Sequence, residues 1–168
     1  MFKTQLSHSD HLAEVRSAGF LAAGQQSPPE VAVALSRWGV TLPTHTSRKV
    51  SRSDLAHADL ILCMERAQVR EAVVLDPQIW PRTFTLKELV RRGSTAPPRG
   101  PAESPDAWLA RIHSERDRSE MLGASSIDDL ADPYGKKISA YKATLTELVD
   151  LSGRLLELIW PTGQAAVD

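Results

Sequence analysis

The residue best suited to acid–base chemistry in this chain is an aspartate on a proline turn. Asp132 is followed by Pro133, Tyr134 and Gly135. A carboxylic acid held on a rigid turn beside an aromatic ring can give a proton to a leaving group and then activate water. It would need a nucleophile and a cradle for the charge of its substrate. Asp-Pro before a helix is also common as a plain turn or helix cap, so both interpretations remain open from these residues alone.

The only cysteine, Cys63, is the first nucleophile to consider. A phosphate-binding C-x5-R loop would need an arginine at position 69, which is Val69, while Arg66 and Arg70 are out of register. Cys63 ends an apolar run, and the two residues after it include no Gly, Ser or Asn to form an anion-binding nest. We therefore expect a buried and chemically inert thiol.

The composition narrows the class of protein. A net charge of −1 without a run of Lys and Arg argues against a nucleic-acid partner. No apolar stretch approaches the about 20 residues of a membrane helix. From the charged side chains near the start we expect no signal peptide. A single cysteine cannot form an internal disulfide, which favours a cytoplasmic location. The length predicts one domain, residues 1–168.

The middle of the chain alternates strand and helix patterns. Leu60–Cys63 is apolar throughout, as expected for a strand covered on both faces, and a helix follows from Glu65 to Val74. Thr83–Leu86 predicts the next strand and Lys87–Arg92 the next helix. This alternation indicates an α/β fold with a doubly wound parallel sheet.

The first third of the chain has a clear helix start. Ser27, Pro28 and Glu30 form an S-x-x-E capping pattern, which predicts a helix whose first residue is Pro28. Before it, Ala13–Gly19 predicts a short strand that leads into a loop.

The last third contains a Pro-rich and Gly-rich stretch, 93–105, that predicts an exposed loop. A helix is expected from Asp106 to about Arg118, with its charged residues, including Arg116, on a solvated face. The clearest amphipathic helix runs from Ile138 to Ile159 and should cover one face of the sheet.

Four stretches, in this order, resemble the low-molecular-weight protein tyrosine phosphatase family. They are Val15–Gly19, Leu42–Val50 with His45, Asp59–Glu65, and Asp132–Gly135. The resemblance covers about Val15 to Trp160, and the insert at 93–126 is similar to that of actinobacterial members. It implies hydrolysis of phosphotyrosine in proteins, or of small aryl phosphates, through a phosphocysteine without a metal or organic cofactor.

The resemblance also implies roles for individual residues. Asp132 takes the position of the general acid and base, and Tyr134 that of the aromatic wall of the substrate cleft. Ser17 and His45 match residues that brace the phosphate loop by hydrogen bonds; a turn serine and a loop histidine are the plainer interpretations.

One departure from the family pattern is specific. The family nucleophile is the cysteine of a C-x5-R loop that follows the first strand, and no such loop occurs in this sequence. We therefore expect the first strand and its loop to be missing, whether through a misassigned start or a true loss, and the chain to be inactive. A non-catalytic interaction module is the main alternative. An arsenate reductase would need further cysteines, and a receiver domain would need an acidic pair after a first strand.

Overall fold

The computed structural model describes Leu6 and residues 13–40, 46–123 and 125–161. His45 lies outside these residues. The chain divides into two compact units: Met1–Ser51 with Ala131–Gly153, and Arg52–Leu130 with Arg154–Asp168. The α-helices of the described part are α1 (Pro29–Leu35), α2 (Arg52–His57), α3 (Arg66–Leu75), α4 (Leu86–Thr95), α5 (Pro105–Ser114) and α6 (Ile138–Ile159). No described helix is both long and apolar enough to cross a lipid bilayer.

The second unit contains a parallel pair of strands, β1 (Ile61–Cys63) and β2 (Thr83–Thr85). Ile61 lies opposite Thr83 and Cys63 opposite Thr85, and α3 forms part of the crossover between the strands. All of β2 is buried, whereas only Cys63 is fully buried in β1. The predicted parallel α/β architecture is thereby confirmed.

Short capping motifs decide where the helices of this unit begin. The Thr85 hydroxyl accepts a hydrogen bond from the Glu88 amide at the start of α4 (3.1 Å), and the Ser104 hydroxyl accepts one from the Ala107 amide at the start of α5 (3.1 Å). After α3, the Asp76 carboxylate accepts a bond from the Gln78 amide and opens a 3-10 helix, Pro77–Arg82. Each side chain satisfies an amide that the helix itself leaves without a partner.

The first unit corrects two local predictions. Helix α1 is capped at Pro28 rather than Ser27, and no side chain caps it. A residue before a proline is pushed out of the helical region, and Pro28 precedes Pro29, so the helix starts one residue late. Residues 13–18 form no strand; only Gly19 makes an isolated parallel bridge to Lys49. The long helix α6 begins and ends where the sequence predicted.

Arg116 is the largest surprise of the second unit, because its side chain is only 1% exposed. Its guanidinium carbon lies 3.6 Å from the ring centroid of Trp80 and 4.0 Å from that of Phe84. It donates to both carboxylate oxygens of Glu88 (2.8 and 3.2 Å) and to the carbonyl oxygens of Trp80 and Thr83. The expectation of a solvated Arg116 was wrong, since a planar guanidinium can stack on rings while its donors are satisfied at the edge.

Gly93 marks a close approach between α4 and its neighbours. A Cβ atom there would lie 2.9 Å from Trp108 Cζ2 and 3.0 Å from Leu158 Cδ1.

We expect Gly93→Ala to lower the free energy of unfolding by about 1 kcal/mol, because overpacking costs about 1–3 kcal/mol and the helix propensity of alanine returns about 1 kcal/mol. Urea denaturation measures the change. Gly100→Ala is the control, since no atom lies within 4 Å of its added Cβ; equal stabilities for the two variants would contradict the packing argument.

The pKa of His113 is held below its ordinary value, first by desolvation and then by the positive charges of Arg116 and Arg118. The unfolded chain therefore binds a proton more readily than the folded chain. The stability due to neutral His113 is complete above about pH 6.5 and is lost as the pH falls below it.

We expect the free energy of unfolding, measured by urea denaturation, to fall less for His113→Gln than for the wild type between pH 7.5 and pH 5.5. Parallel losses in the two proteins would show that His113 is not a source of the acid sensitivity.

Candidate functional site

The Asp132 turn has the rigidity that an acid loop needs. The Asp132 carboxylate accepts a hydrogen bond from the Tyr134 amide (2.9 Å), and the Pro133 carbonyl accepts one from the Lys136 amide (2.9 Å). Gly135 has a φ of 72°, the left-handed conformation that a type II turn requires at its third residue. One carboxylate oxygen thus holds the turn together, while the Asp132 side chain stays exposed to solvent.

The turn is fastened to the helix that follows it. The hydroxyl of Thr144, in α6, donates a hydrogen bond to the carbonyl oxygen of Ala131 (3.0 Å). The backbone just before Asp132 is therefore held by α6, which begins six residues after it at Ile138. Tyr134 extends outward with 75% of its surface exposed. An exposed ring beside an exposed carboxylate is suited to contact a molecule that arrives from solvent.

Ser17 is also exposed and lies in the irregular segment before Gly19. That segment is joined to the backbone near Arg48 by two bonds, from the Gly19 amide to the Arg48 carbonyl and from the Val50 amide to the Gly19 carbonyl, both 2.8 Å. Within the described part of the chain the Ser17 hydroxyl makes no hydrogen bond. Asp132 and Tyr134 lie in the same turn. The structure does not test the bracing role predicted for Ser17 and His45.

Cys63 lies at the end of β1 and is 6% exposed. It packs in an apolar cluster with Val69 and Trp80, flanked by Ile61 and Val73. Burial raises the pKa of its thiol to about 12. A thiolate is the nucleophilic form of cysteine, so Cys63 is in the wrong state for catalysis at neutral pH. The predicted burial of Cys63 is confirmed.

Two residues that the sequence analysis did not single out, Asp128 and Asp129, precede the acid turn. The Asp128 carboxylate receives two hydrogen bonds from the guanidinium of Arg91, of 3.0 and 2.8 Å. The Asp129 carboxylate accepts a bond of 2.7 Å from the Arg66 amide at the start of α3. Two adjacent acidic residues form no sequence motif, and their partners lie 37 and 63 residues away, so only the fold could have identified them.

Within the described residues no group of three or more His, Cys, Asp and Glu side chains is arranged to hold a metal ion. One oxygen of the Asp132 carboxylate accepts the bond from the Tyr134 amide.

Comparison with known proteins identifies the family. The sequence profile described as "Low molecular weight phosphotyrosine protein phosphatase" matches residues 1–96, more than half of the chain. A search of curated protein sequences gave no significant match.

Solved structures show the same fold. A low-molecular-weight protein tyrosine phosphatase from T. tengcongensis is 26% identical, with a TM-score of 0.64 over 92% of this chain and 82% of its own. A low-molecular-weight protein tyrosine phosphatase from Bacillus subtilis is 23% identical, with a TM-score of 0.67 over 94% and 83%. A YwlE arginine phosphatase, solved as a cysteine-to-serine mutant with a phosphorylated active-site serine, is 22% identical, with a TM-score of 0.69 over 96% and 85%. This chain belongs to the low molecular weight phosphotyrosine protein phosphatase family.

Proposed function

We propose that this chain carries the general acid of a phosphotyrosine phosphatase, Asp132, but no thiol nucleophile, and that the 168-residue chain by itself does not turn over phosphate esters. The observation that carries the proposal is the state of Cys63. It is the only cysteine in the sequence, it is buried, and its thiol pKa is about 12. The proposal further includes a single cytoplasmic domain of the actinobacterial type, and the alternative is a non-catalytic pseudophosphatase or interaction module.

The substrate class follows from the family, whose description is phosphotyrosine protein phosphatase. In that chemistry a thiolate attacks phosphorus, the bond from phosphorus to the tyrosyl oxygen breaks, and an acid protonates the departing oxygen. Water then attacks phosphorus in the phosphocysteine, the S–P bond breaks, and inorganic phosphate leaves as the thiol is restored. The phosphorylated serine in the mutant arginine phosphatase supports a covalent intermediate at that position in the relative.

Asp132 is the residue of this chain suited to both proton transfers. Its carboxyl group would give a proton to the tyrosyl oxygen and later take one from the attacking water. Its exposure supports this role, because the substrate must reach it from solvent. Tyr134 would contact the aryl ring of the substrate. Ser17 and His45 would brace a phosphate loop by hydrogen bonds. This sequence contains no C-x5-R loop for them to brace.

The proposal predicts no turnover of p-nitrophenyl phosphate or of a phosphotyrosine peptide by the purified chain. Wild type, Cys63→Ser and Asp132→Asn should all match the buffer rate, because attack on phosphorus requires a thiolate that none of them supplies. The turnover rate of each variant is measured from the release of p-nitrophenol and of inorganic phosphate. Turnover that is lost in Cys63→Ser would overturn the exclusion of Cys63. Turnover that survives in Cys63→Ser but is lost in Asp132→Asn would reveal another nucleophile.

Titration with phosphate or vanadate separates an inert remnant from a binding module. Without the backbone amides and arginine of a C-x5-R loop, oxyanions have no cradle, so we expect no saturable change in the amide NMR spectrum. Saturable shifts around Asp132 and Tyr134 that are lost in Tyr134→Ala would instead favour an interaction module for phosphorylated partners.

The state of Cys63 can be measured directly by alkylation. With a pKa of about 12, only about one thiol in ten thousand is a thiolate at pH 8. We expect iodoacetamide to label the native protein at pH 8 far more slowly than the protein in 8 M urea, with mass spectrometry as the readout. Since no other cysteine is present, the labelled mass reports Cys63 alone. Rapid native labelling that vanadate slows would contradict the proposed inactivity.

A further inference from the structure

We propose that Thr144 is a positioning residue for Asp132, because its hydroxyl fastens the backbone that enters the acid turn to α6. Both residues lie in the first compact unit, which includes Ala131–Gly153. The inference rests on the proposed role of Asp132 and extends it. A general acid is effective only if its carboxyl group is held in one orientation, and Asp132, which is exposed, cannot rely on burial for that.

The hydrogen bond of Thr144 differs from the one that a threonine in a helix usually makes. Such a hydroxyl commonly donates to the carbonyl oxygen three or four residues earlier in the same helix. Thr146 does this in α6, with a bond of 2.8 Å to the carbonyl oxygen of Lys142. Thr144 donates instead to the carbonyl oxygen of Ala131, 13 residues earlier and outside the helix (3.0 Å). Its hydroxyl therefore joins two separate segments of the chain.

The bond acts on the peptide group that leads directly into Asp132. The Ala131 carbonyl and the Asp132 amide belong to one planar unit, so a bond to the oxygen also restricts the orientation of the amide. On the other side, the ring of Pro133 restricts Asp132 to extended backbone conformations. The Asp132 carboxylate accepts its own bond from the Tyr134 amide. Once the Ala131 carbonyl is fixed, the carboxyl group has little remaining freedom.

Helix α6 is a firm base for this bond. Tyr141 lies one turn before Thr144 on the same side of the helix and is only 4% exposed, so this part of α6 is anchored by a buried ring. The bonds from the Tyr134 amide to Asp132 and from the Lys136 amide to the Pro133 carbonyl lie within the turn itself. They keep the shape of the turn but do not join it to α6, which is what the Thr144 hydroxyl does.

Backbone dynamics test the role of Thr144 without requiring turnover. In ¹⁵N relaxation of the full chain we expect amide order parameters near 0.85 for Asp132, Tyr134 and Gly135, and values below about 0.6 in Thr144→Val. Valine keeps the branched shape of the side chain but has no donor. Thr144→Ser removes the methyl group and keeps the hydroxyl, so it should leave the order parameters of the turn near those of the wild type.

Thr146→Val is the matched control, because it removes a hydroxyl whose bond lies within α6. It should leave the order parameters of the turn unchanged. The positioning role is overturned if Thr144→Val lowers the urea midpoint while the turn stays rigid, or if Thr146→Val loosens the turn equally. Phosphatase turnover by the wild type would overturn the proposed inactivity of the chain and leave the result for Thr144 standing, so the two failures are distinguishable.

Discussion

The second unit depends on one buried cation. Arg116 lies between the rings of Trp80 and Phe84 and pairs with Glu88, which also binds Arg92. Breaking such a pair leaves a buried charge without compensation, at a cost of about 3–5 kcal/mol, although the intact pair adds little net stability. The pair of Arg116 and Glu88 instead specifies how the surrounding helices and strands are arranged. Through it the segment after α5 is joined to the 3-10 helix before β2, to β2 itself and to α4.

Helix α4 also holds the segment that follows α5. Arg92 also binds Glu120, so the stretch between α5 and Asp128 is held at a second point. Asp128 then binds Arg91, the neighbour of Arg92 on α4. Consecutive arginines of one helix thus fasten successive parts of the segment that leads to Asp132. The polar side of α4 organises this segment, while its apolar side packs into the core with Leu89 and Val90.

The elements of this unit could be predicted where a local pattern determines them. Leu60–Cys63 is apolar and Asp76-Pro77 stops a helix, so β1 and α3 were found within a residue or two of their observed ends. The sequence could not reveal that Arg116 is buried, because helical periodicity groups it with its charged neighbours and its partners lie about 30 residues earlier. At the candidate site, the turn of Asp132 followed from proline and glycine. The pairings of Asp128 with Arg91 and of Asp129 with the Arg66 amide did not, since they join residues that are distant in the sequence. The start of α1 was misplaced because two adjacent prolines shift the cap.

Cys63 shows that chemical competence belongs to a place in a fold rather than to a residue type. The same thiol at a helix N-terminus would face amide donors that favour the thiolate, whereas at the end of β1 it faces valine and tryptophan. Oxidation by peroxide follows thiolate character and exposure, and this thiol lacks both. Enzymes that work through a reactive cysteine are open to inactivation by oxidants. A protein whose single cysteine is buried in this way lacks that route of inactivation.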